Sequence, residues 1–151
     1  MVKRKEGKIS AYLAHPLKSR KYIREWELKF EEKFSIELLN PFYDLGGLET
    51  EITKQRDEGK EVNFPEGYFN KLVQRDLTAV LNSDFVVAFV DGSSSYGTIM
   101  EICYAHMFGK AVFIIATAEY AKGHEWLLYH STTMFNSIEE FEQFISIWQK
   151  Q

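Results

Sequence analysis

The stretch that decides the fold is Phe85-Val-Val-Ala-Phe-Val90, continuing as Asp91-Gly-Ser-Ser-Ser-Tyr-Gly-Thr-Ile-Met-Glu101. Six apolar residues in a row are what a central parallel strand, buried on both faces, requires. The glycines and serines that follow make a turn, and helical character returns from Thr98 to Phe108, with Gly109 as its stop. A strand running through a small-residue loop into a helix is one βα unit, and the rest of the chain reads as more of them.

Upstream, Ile9–Ala14 is a short apolar strand ended by His15-Pro16. Ser19 can cap a helix to Phe34, whose apolar residues Tyr22, Ile23, Trp26, Phe30 and Phe34 recur at helical spacing. Ser35–Leu39 is a second strand, stopped by Asn40-Pro41. The stretch from Phe42 to about Pro65, with Gly46-Gly47 and Gly59, reads as irregular: either a cover for an active site or a surface insertion. Glu66 to Asn82 is helical again. Downstream come a strand at Ala111–Ala116, a short helix at His124–Tyr129, a brief strand at Thr133–Phe135 and a closing helix at Ser137–Lys150, with Ser137 and Glu140 spaced as a capping box. Alternating strands and helices imply right-handed βαβ units, hence an α/β three-layer sandwich on a five-stranded parallel sheet.

The 151 residues fit one domain, 1–151, and the formal net charge of −4 gives no basic footprint for a nucleic-acid polymer. Cys103 is the only cysteine, so no intrachain disulfide can form. The longest apolar runs are far short of a membrane span, and the charged N-terminus lacks the pattern of a signal peptide; the expectation is a cytoplasmic protein that does not enter membranes. His15, His106, His124 and His130 form no recognised zinc pair, so no metal is expected.

In an open parallel sheet, ligands bind beyond the carboxyl ends of the strands, here the loops after Ala14, Val90 and Ala116. That rule makes His15, Asp91, Ser94, Ser95, Gly97 and Thr98 candidate substrate contacts. A helix start flanked by hydroxyls suits an anion, although the loop is neither a dinucleotide fingerprint nor a P-loop. Thr98-x-x-Glu101 matches a capping box, which gives Glu101 a purely structural reading. As a first-turn carboxylate it would also be kept ionised by the helix dipole, as a nucleophile at an anomeric carbon must be. Asp76 interrupts an amphipathic helix, and a pair with Arg75 explains it as readily as catalysis does. Tyr12, alone, reads as core.

Taken together, Tyr12-Leu-Ala14, Asp76-Leu77, Ser83-Asp84-Phe-Val-Val-Ala88 and Gly97-Thr-x-x-Glu101-Ile-x-Tyr-Ala105 resemble the nucleoside 2-deoxyribosyltransferase family, which includes relatives that hydrolyse deoxynucleoside monophosphates. The resemblance runs from about Ile9 to Ile115. It implies a flavodoxin-like fold, no cofactor, a nucleoside or nucleotide substrate, and a homo-oligomer with its sites near subunit interfaces. It assigns Glu101 as the nucleophile at C1′, Tyr12 as the group that positions it and Asp76 as the acid for the leaving base. Transfer to another base and hydrolysis both remain open, as does a non-catalytic nucleotide sensor. Two positions depart from the family. Ser95 stands where nucleoside-specific members carry an aspartate for the 5′-hydroxyl, which suits a 5′-phosphate, with Asp91 as an alternative hydroxyl acceptor. Trp126 stands where a neighbouring subunit often contributes asparagine, with His124, His130 and Ser131 as replacements.

Overall fold

A computed structural model describes residues 7–93 and 95–151. Its five strands are β1 (Ile9–Ala14), β2 (Ile36–Leu39), β3 (Phe85–Val90), β4 (Ala111–Ala116) and β5 (Thr133–Phe135), all parallel, in the order β2-β1-β3-β4-β5. The helices are α1 (Arg20–Lys33), α2 (Gly47–Asp57), α3 (Tyr68–Asn82), α4 (Tyr96–Met107), α5 (Glu125–His130) and α6 (Ile138–Trp148). This is the expected three-layer sandwich with flavodoxin-like strand order.

Period-two alternation sorts the strands between two cores. Ala11, Leu13, Val87, Phe89 and Ile115 face Ile23 and Phe30 of α1 and Phe141 and Ile145 of α6. Tyr12, Ala14, Val86, Ala88, Ile114 and Ala116 face Val80 of α3 and Ile102 and Ala105 of α4. All six residues of β3 are buried, which is why its sequence runs apolar without a break. The alternation also settles where Tyr12 points: toward the layer that carries Asp76 and Glu101. At the other end of the sheet Asp84 ties β1 to β3, its N–H donating to Ser10 O at 2.8 Å and its Oδ2 accepting from Ser10 N at 2.9 Å.

Three differences from the sequence reading bear on the site. The stretch 42–65 is not irregular throughout, since α2 lies within it. That helix buries Glu49, Ile52 and Thr53, of which only Ile52 is apolar, so no hydrophobic period announced it. Gly46 and Gly47, at φ 67 and 72, look like breakers but form its entry. Helix α3 begins at Tyr68 rather than Glu66, after Gly67 in the left-handed conformation. Helix α4 begins at Tyr96 rather than Thr98, and its N-cap is Ser95, whose Oγ accepts from Thr98 N at 3.2 Å.

Candidate active site

The flavodoxin-like order reverses between β1 and β3, and the crevice outside that point is where such sheets bind ligands. A cleft of about 470 Å³ opens there, walled by His15 and Leu17 after β1, Pro41 and Phe42 after β2, Asp76 and Leu77 of α3, and Ser95, Gly97, Thr98 and Glu101 of α4. It thus brings together six of the nine candidate residues. Tyr12 lies beneath it, fully buried. Asp91 is not among the residues that wall it, and Ser94 lies outside the described residues.

The helix start at Ser95 changes the reading of Glu101. With Tyr96 as the first helical residue, Thr98 is third and Glu101 sixth, beyond the first turn. Glu101 therefore forms no capping box: Ser95 does the capping, and also hydrogen-bonds Thr98 Oγ1 at 2.7 Å. The dipole that would have held Glu101 ionised fades after the first turn. Burial dominates instead, and with the nearby Asp76 carboxylate it raises the Glu101 pKa to about 8, opposed by the Tyr12 hydroxyl and the Arg75 guanidinium. One carboxyl oxygen, Oε2, is buried with no hydrogen-bond partner, as is Tyr12 Oη. The two groups stand close enough for the hydroxyl to favour the carboxylate, yet they do not meet at hydrogen-bond geometry. The other oxygen, Oε1, lies 3.7 Å from where a Cβ on Gly97 would stand, so the glycine leaves that side of the carboxylate uncovered. A carboxyl group with an unpaired oxygen at the foot of a cleft is not a structural cap.

Asp76 pairs with its neighbour in sequence. Arg75 donates to Asp76 Oδ1 from Nε at 2.9 Å and from Nη2 at 2.6 Å. Adjacent helical residues ordinarily point apart, so this pairing is a local device. Arg75 Nη2 also donates to Pro41 O at 2.9 Å, which fastens the wall of the cleft to α3. Both hydrogen bonds fall on Oδ1. Burial raises the Asp76 pKa while Arg75 opposes the rise.

His15 is held by a buried polar chain that the sequence reading missed. Its Nε2 lies 2.9 Å from Asn40 Oδ1, which also accepts from Phe42 N at 3.1 Å, while Asn40 Nδ2 donates to Glu27 Oε2 at 2.7 Å. Those contacts orient the amide with its oxygen toward Nε2, and Nδ1 lies 3.1 Å from Pro16 O, so both ring nitrogens face acceptors. Burial lowers the His15 pKa, opposed by the Asn40 and Pro16 acceptors. Glu27 is fully buried; its Oε1 accepts from Arg24 at 2.6 Å, and burial beside Asp44 pushes its pKa up to about 9. One signal could have found it: Glu27 sits between Ile23 and Phe30 on the core stripe of α1, where a solvated glutamate does not belong.

Asp91 works on the loop itself. Its Oδ2 accepts from Ser19 and from the Tyr22 hydroxyl, and its Oδ1 from Ser93 N at 3.0 Å. These hydrogen bonds lower its pKa against the opposing effect of burial. Ser19, expected as a capping side chain of α1, makes no such cap and gives its hydroxyl to Asp91 instead. Trp126, on α5, is 69% exposed and lines a neighbouring groove of about 320 Å³ that shares Ser95 and Thr98 with the main cleft. Among the described residues no helix is long and apolar enough to cross a membrane, and no three His, Cys, Asp or Glu side chains gather as a metal would require.

No protein-family model and no curated protein matches the sequence. Among solved structures, a 2-deoxyribosyltransferase from Bacillus psychrosaccharolyticus is similar over 88% of this chain and 90% of its own, with a TM-score of 0.63 and 16% identity. The CMP N-glycosidase BcmB of Clostridium botulinum is similar over 92% of this chain and 98% of its own, with a TM-score of 0.55 and 22% identity. The chain therefore has, over nearly its whole length, the α/β fold on which a 2-deoxyribosyltransferase and a CMP N-glycosidase are built.

Proposed function

We propose that the protein is an enzyme that breaks the N-glycosidic bond of a 2′-deoxyribonucleoside or its 5′-monophosphate through a covalent deoxyribosyl ester on Glu101. The observation that carries this reading is the unpaired, buried carboxyl of Glu101 at the foot of the switch-point cleft, beside Tyr12 and across from Asp76. The fold likeness to two proteins named for such chemistry supports it.

The proton inventory of the site fits the reaction. Two neighbouring carboxyl groups, one pushed up to about 8, hold a single proton between them at neutral pH. Before substrate binds, burial favours the proton on Glu101, while Arg75 favours ionised Asp76. Attack needs the reverse: Glu101 ionised, and the proton on Asp76 for the leaving base. As the C1′–N bond breaks, its electron pair goes to the base nitrogen, which takes that proton, and Glu101 closes the ester to C1′. One proton enters with the dyad and leaves on the base, so the step balances. General acid assistance of this kind contributes roughly 10²–10⁴-fold. Water or a second base then attacks C1′ and frees Glu101.

Ser95 at the start of α4, with Thr98 beside it, favours a 5′-monophosphate, since a hydroxyl at a helix N-terminus donates to a phosphate where an aspartate would repel it. Copies of the chain associate in this reading through the outer face of α4, where Tyr96, Ile99, Met100 and Met107 are exposed together and Met100 also lines the cleft. The deciding experiment incubates the protein with each deoxynucleoside and deoxynucleotide, with and without free bases, and follows base release. Release abolished in Glu101→Ala is expected; release undiminished there overturns the reading.

A further inference from the structure

The cleft proposed to take a 5′-monophosphate has two carboxyl groups in its wall, Asp76 and Glu101, and among the described residues no lysine or arginine. Arg75 directs its hydrogen bonds to Asp76, Pro41 O and Gly46 O. The one side chain of the wall that can become a cation is His15.

His15 is 4% exposed, and both of its ring nitrogens meet oxygens: Nε2 lies 2.9 Å from Asn40 Oδ1, and Nδ1 lies 3.1 Å from Pro16 O. Neither contact can reverse its direction. Pro16 O is a backbone carbonyl, and Asn40 Oδ1 is fixed as an acceptor by the Phe42 N–H at 3.1 Å, while Nδ2 donates to Glu27 Oε2 at 2.7 Å. A neutral imidazole carries one N–H and one lone pair, so it leaves one of these oxygens facing a bare nitrogen. Only the imidazolium donates to both.

The surrounding charges divide. Asp91, after β3, favours a charged ring, as do the two acceptors, whereas burial opposes it and holds the pKa below the ordinary 6.5. Behind Asn40, Glu27 and Asp44 are both paired with Arg24. The remaining titratable groups of the cleft wall are Asp76 of α3 and Glu101 of α4, which have the wrong sign for an anion. At pH 7.5 the substrate-free ring is therefore mostly neutral, with one contact unsatisfied.

We propose that His15 takes up a proton when a phosphate-bearing substrate enters the cleft and is the cation that selects for the phosphate, with Asn40 as the positioning residue that holds an acceptor against the ring. This rests on the 5′-monophosphate reading above. The proton comes from solvent and returns to it when the phosphate leaves. Both N–H groups of the charged ring are engaged, so His15 acts on the anion through its charge, which burial leaves weakly screened.

Titration calorimetry with deoxynucleoside 5′-monophosphates and with the matching deoxynucleosides, at pH 7.5 in buffers of differing ionisation enthalpy, counts the protons taken up. Glu101→Gln serves as the host, because it cannot form the ester. Uptake approaching about one proton is expected for the monophosphates and about none for the nucleosides, so monophosphate affinity should fall by up to roughly tenfold per pH unit between pH 7 and 8.5. That pH series requires no change at His15 and stands even where a His15 variant fails to fold. Adding His15→Gln should abolish the uptake and weaken the monophosphates roughly ten- to hundredfold, with the nucleosides within about twofold. Asn40→Asp keeps an acceptor for the ring and places a charge beside it, so the proton is held before the ligand arrives and uptake should drop, which a merely structural role would not produce. Equal uptake with nucleosides, uptake persisting in His15→Gln, or monophosphate binding without uptake that is lost in a variant of the exposed Lys18, Lys18→Ala, overturns the proposal. Failure of every monophosphate to bind overturns it as well, while base release from deoxynucleosides by the parent protein would leave the N-glycosidic reading standing.

Discussion

The side chains of Tyr12 and Glu101 are neighbours at the foot of the cleft, and Tyr12 Oη and Glu101 Oε2 are both buried without a hydrogen-bond partner. A tyrosine hydroxyl next to a carboxyl group favours its ionised form, and Tyr12 is one of two groups that hold the Glu101 pKa down against burial. Tyr12→Phe removes that influence and nothing else, so the Glu101 pKa should rise further and activity at neutral pH should fall roughly ten- to hundredfold. Stability should barely change, because an unpaired hydroxyl leaves no partner stranded when it is removed. A pH–rate profile and a thermal melt of the same variant separate the two effects; a large loss of melting temperature with an unshifted profile would make Tyr12 merely structural.

The dyad sets the pH dependence of the proposed reaction. Only the singly protonated pair can both attack and protonate, so kcat/KM should be bell-shaped, with its alkaline limb near the Glu101 value of about 8. Its acid limb belongs to the pair's first ionisation, displaced above the ordinary aspartate value by the burial of Asp76. Asp76→Asn takes away the proton donor and also a like charge that raises Glu101. The residual activity should then be far lower and should climb with pH to a plateau. Steady-state profiles of both proteins on one substrate check this, and an unchanged bell in Asp76→Asn would remove Asp76 from the chemistry.

Much of this arrangement was legible in the sequence. Unbroken apolar runs announced β3 and β4, and helical periods announced α1, α3 and α6, because those elements bury hydrophobic faces. Helix α2 was hidden because it buries Glu49 and Thr53 beside a single isoleucine. Six of the nine candidate residues meet in one cleft because strand-end loops converge at the switch point. The roles of Asp91 and Glu101 depended on side-chain partners, which spacing does not encode. Asp91 faces Ser19 and Tyr22 from 72 and 69 residues away. A two-residue shift in the start of α4 took Glu101 out of the capping box and into the cleft.

Holding Glu101 at this site costs stability. Its folded-state pKa of about 8 lies above the ordinary 4.5, so the folded protein grips this proton more tightly than the unfolded chain does. The favourable contribution is complete below about 4.5 and is lost as pH rises to about 8. Glu101→Gln cannot ionise and should therefore be the more stable protein at pH 8, by roughly 1–3 kcal/mol, with little difference at pH 5. For a chain of this length that is a melting-temperature gain of about 3–10 °C. Melting curves of both proteins at the two pH values measure it, and a variant less stable at pH 8 would contradict the buried, raised carboxyl.

Ser95 joins two jobs that one substitution can separate. It caps α4 through Thr98 N, and it stands where a 5′-phosphate is proposed to rest. Aspartate caps a helix about as well as serine, so Ser95→Asp should keep the fold within a few tenths of a kcal/mol. Its charge would repel a phosphate and accept from a 5′-hydroxyl. The ratio of kcat/KM for deoxynucleoside monophosphates over deoxynucleosides should drop at least about tenfold, in line with the loss of a charged hydrogen bond. An unchanged ratio would place the phosphate elsewhere.

Gly97 tests whether the open side of Glu101 matters. Its backbone is helical rather than left-handed, so alanine fits the conformation and should gain up to about 1 kcal/mol of helix propensity. The new methyl group would stand 3.7 Å from Glu101 Oε1, an ordinary contact that displaces no backbone. Yet it covers the oxygen left facing the cleft, where C1′ must approach to bonding distance. Gly97→Ala should therefore be as stable as the parent or more so, while kcat falls roughly a hundredfold, since misplacing a reacting atom by about 1 Å costs that much. Loss of activity in a fully folded, thermally stabilised protein would mark Gly97 as an access residue. Full activity would show that substrate reaches Glu101 from another side.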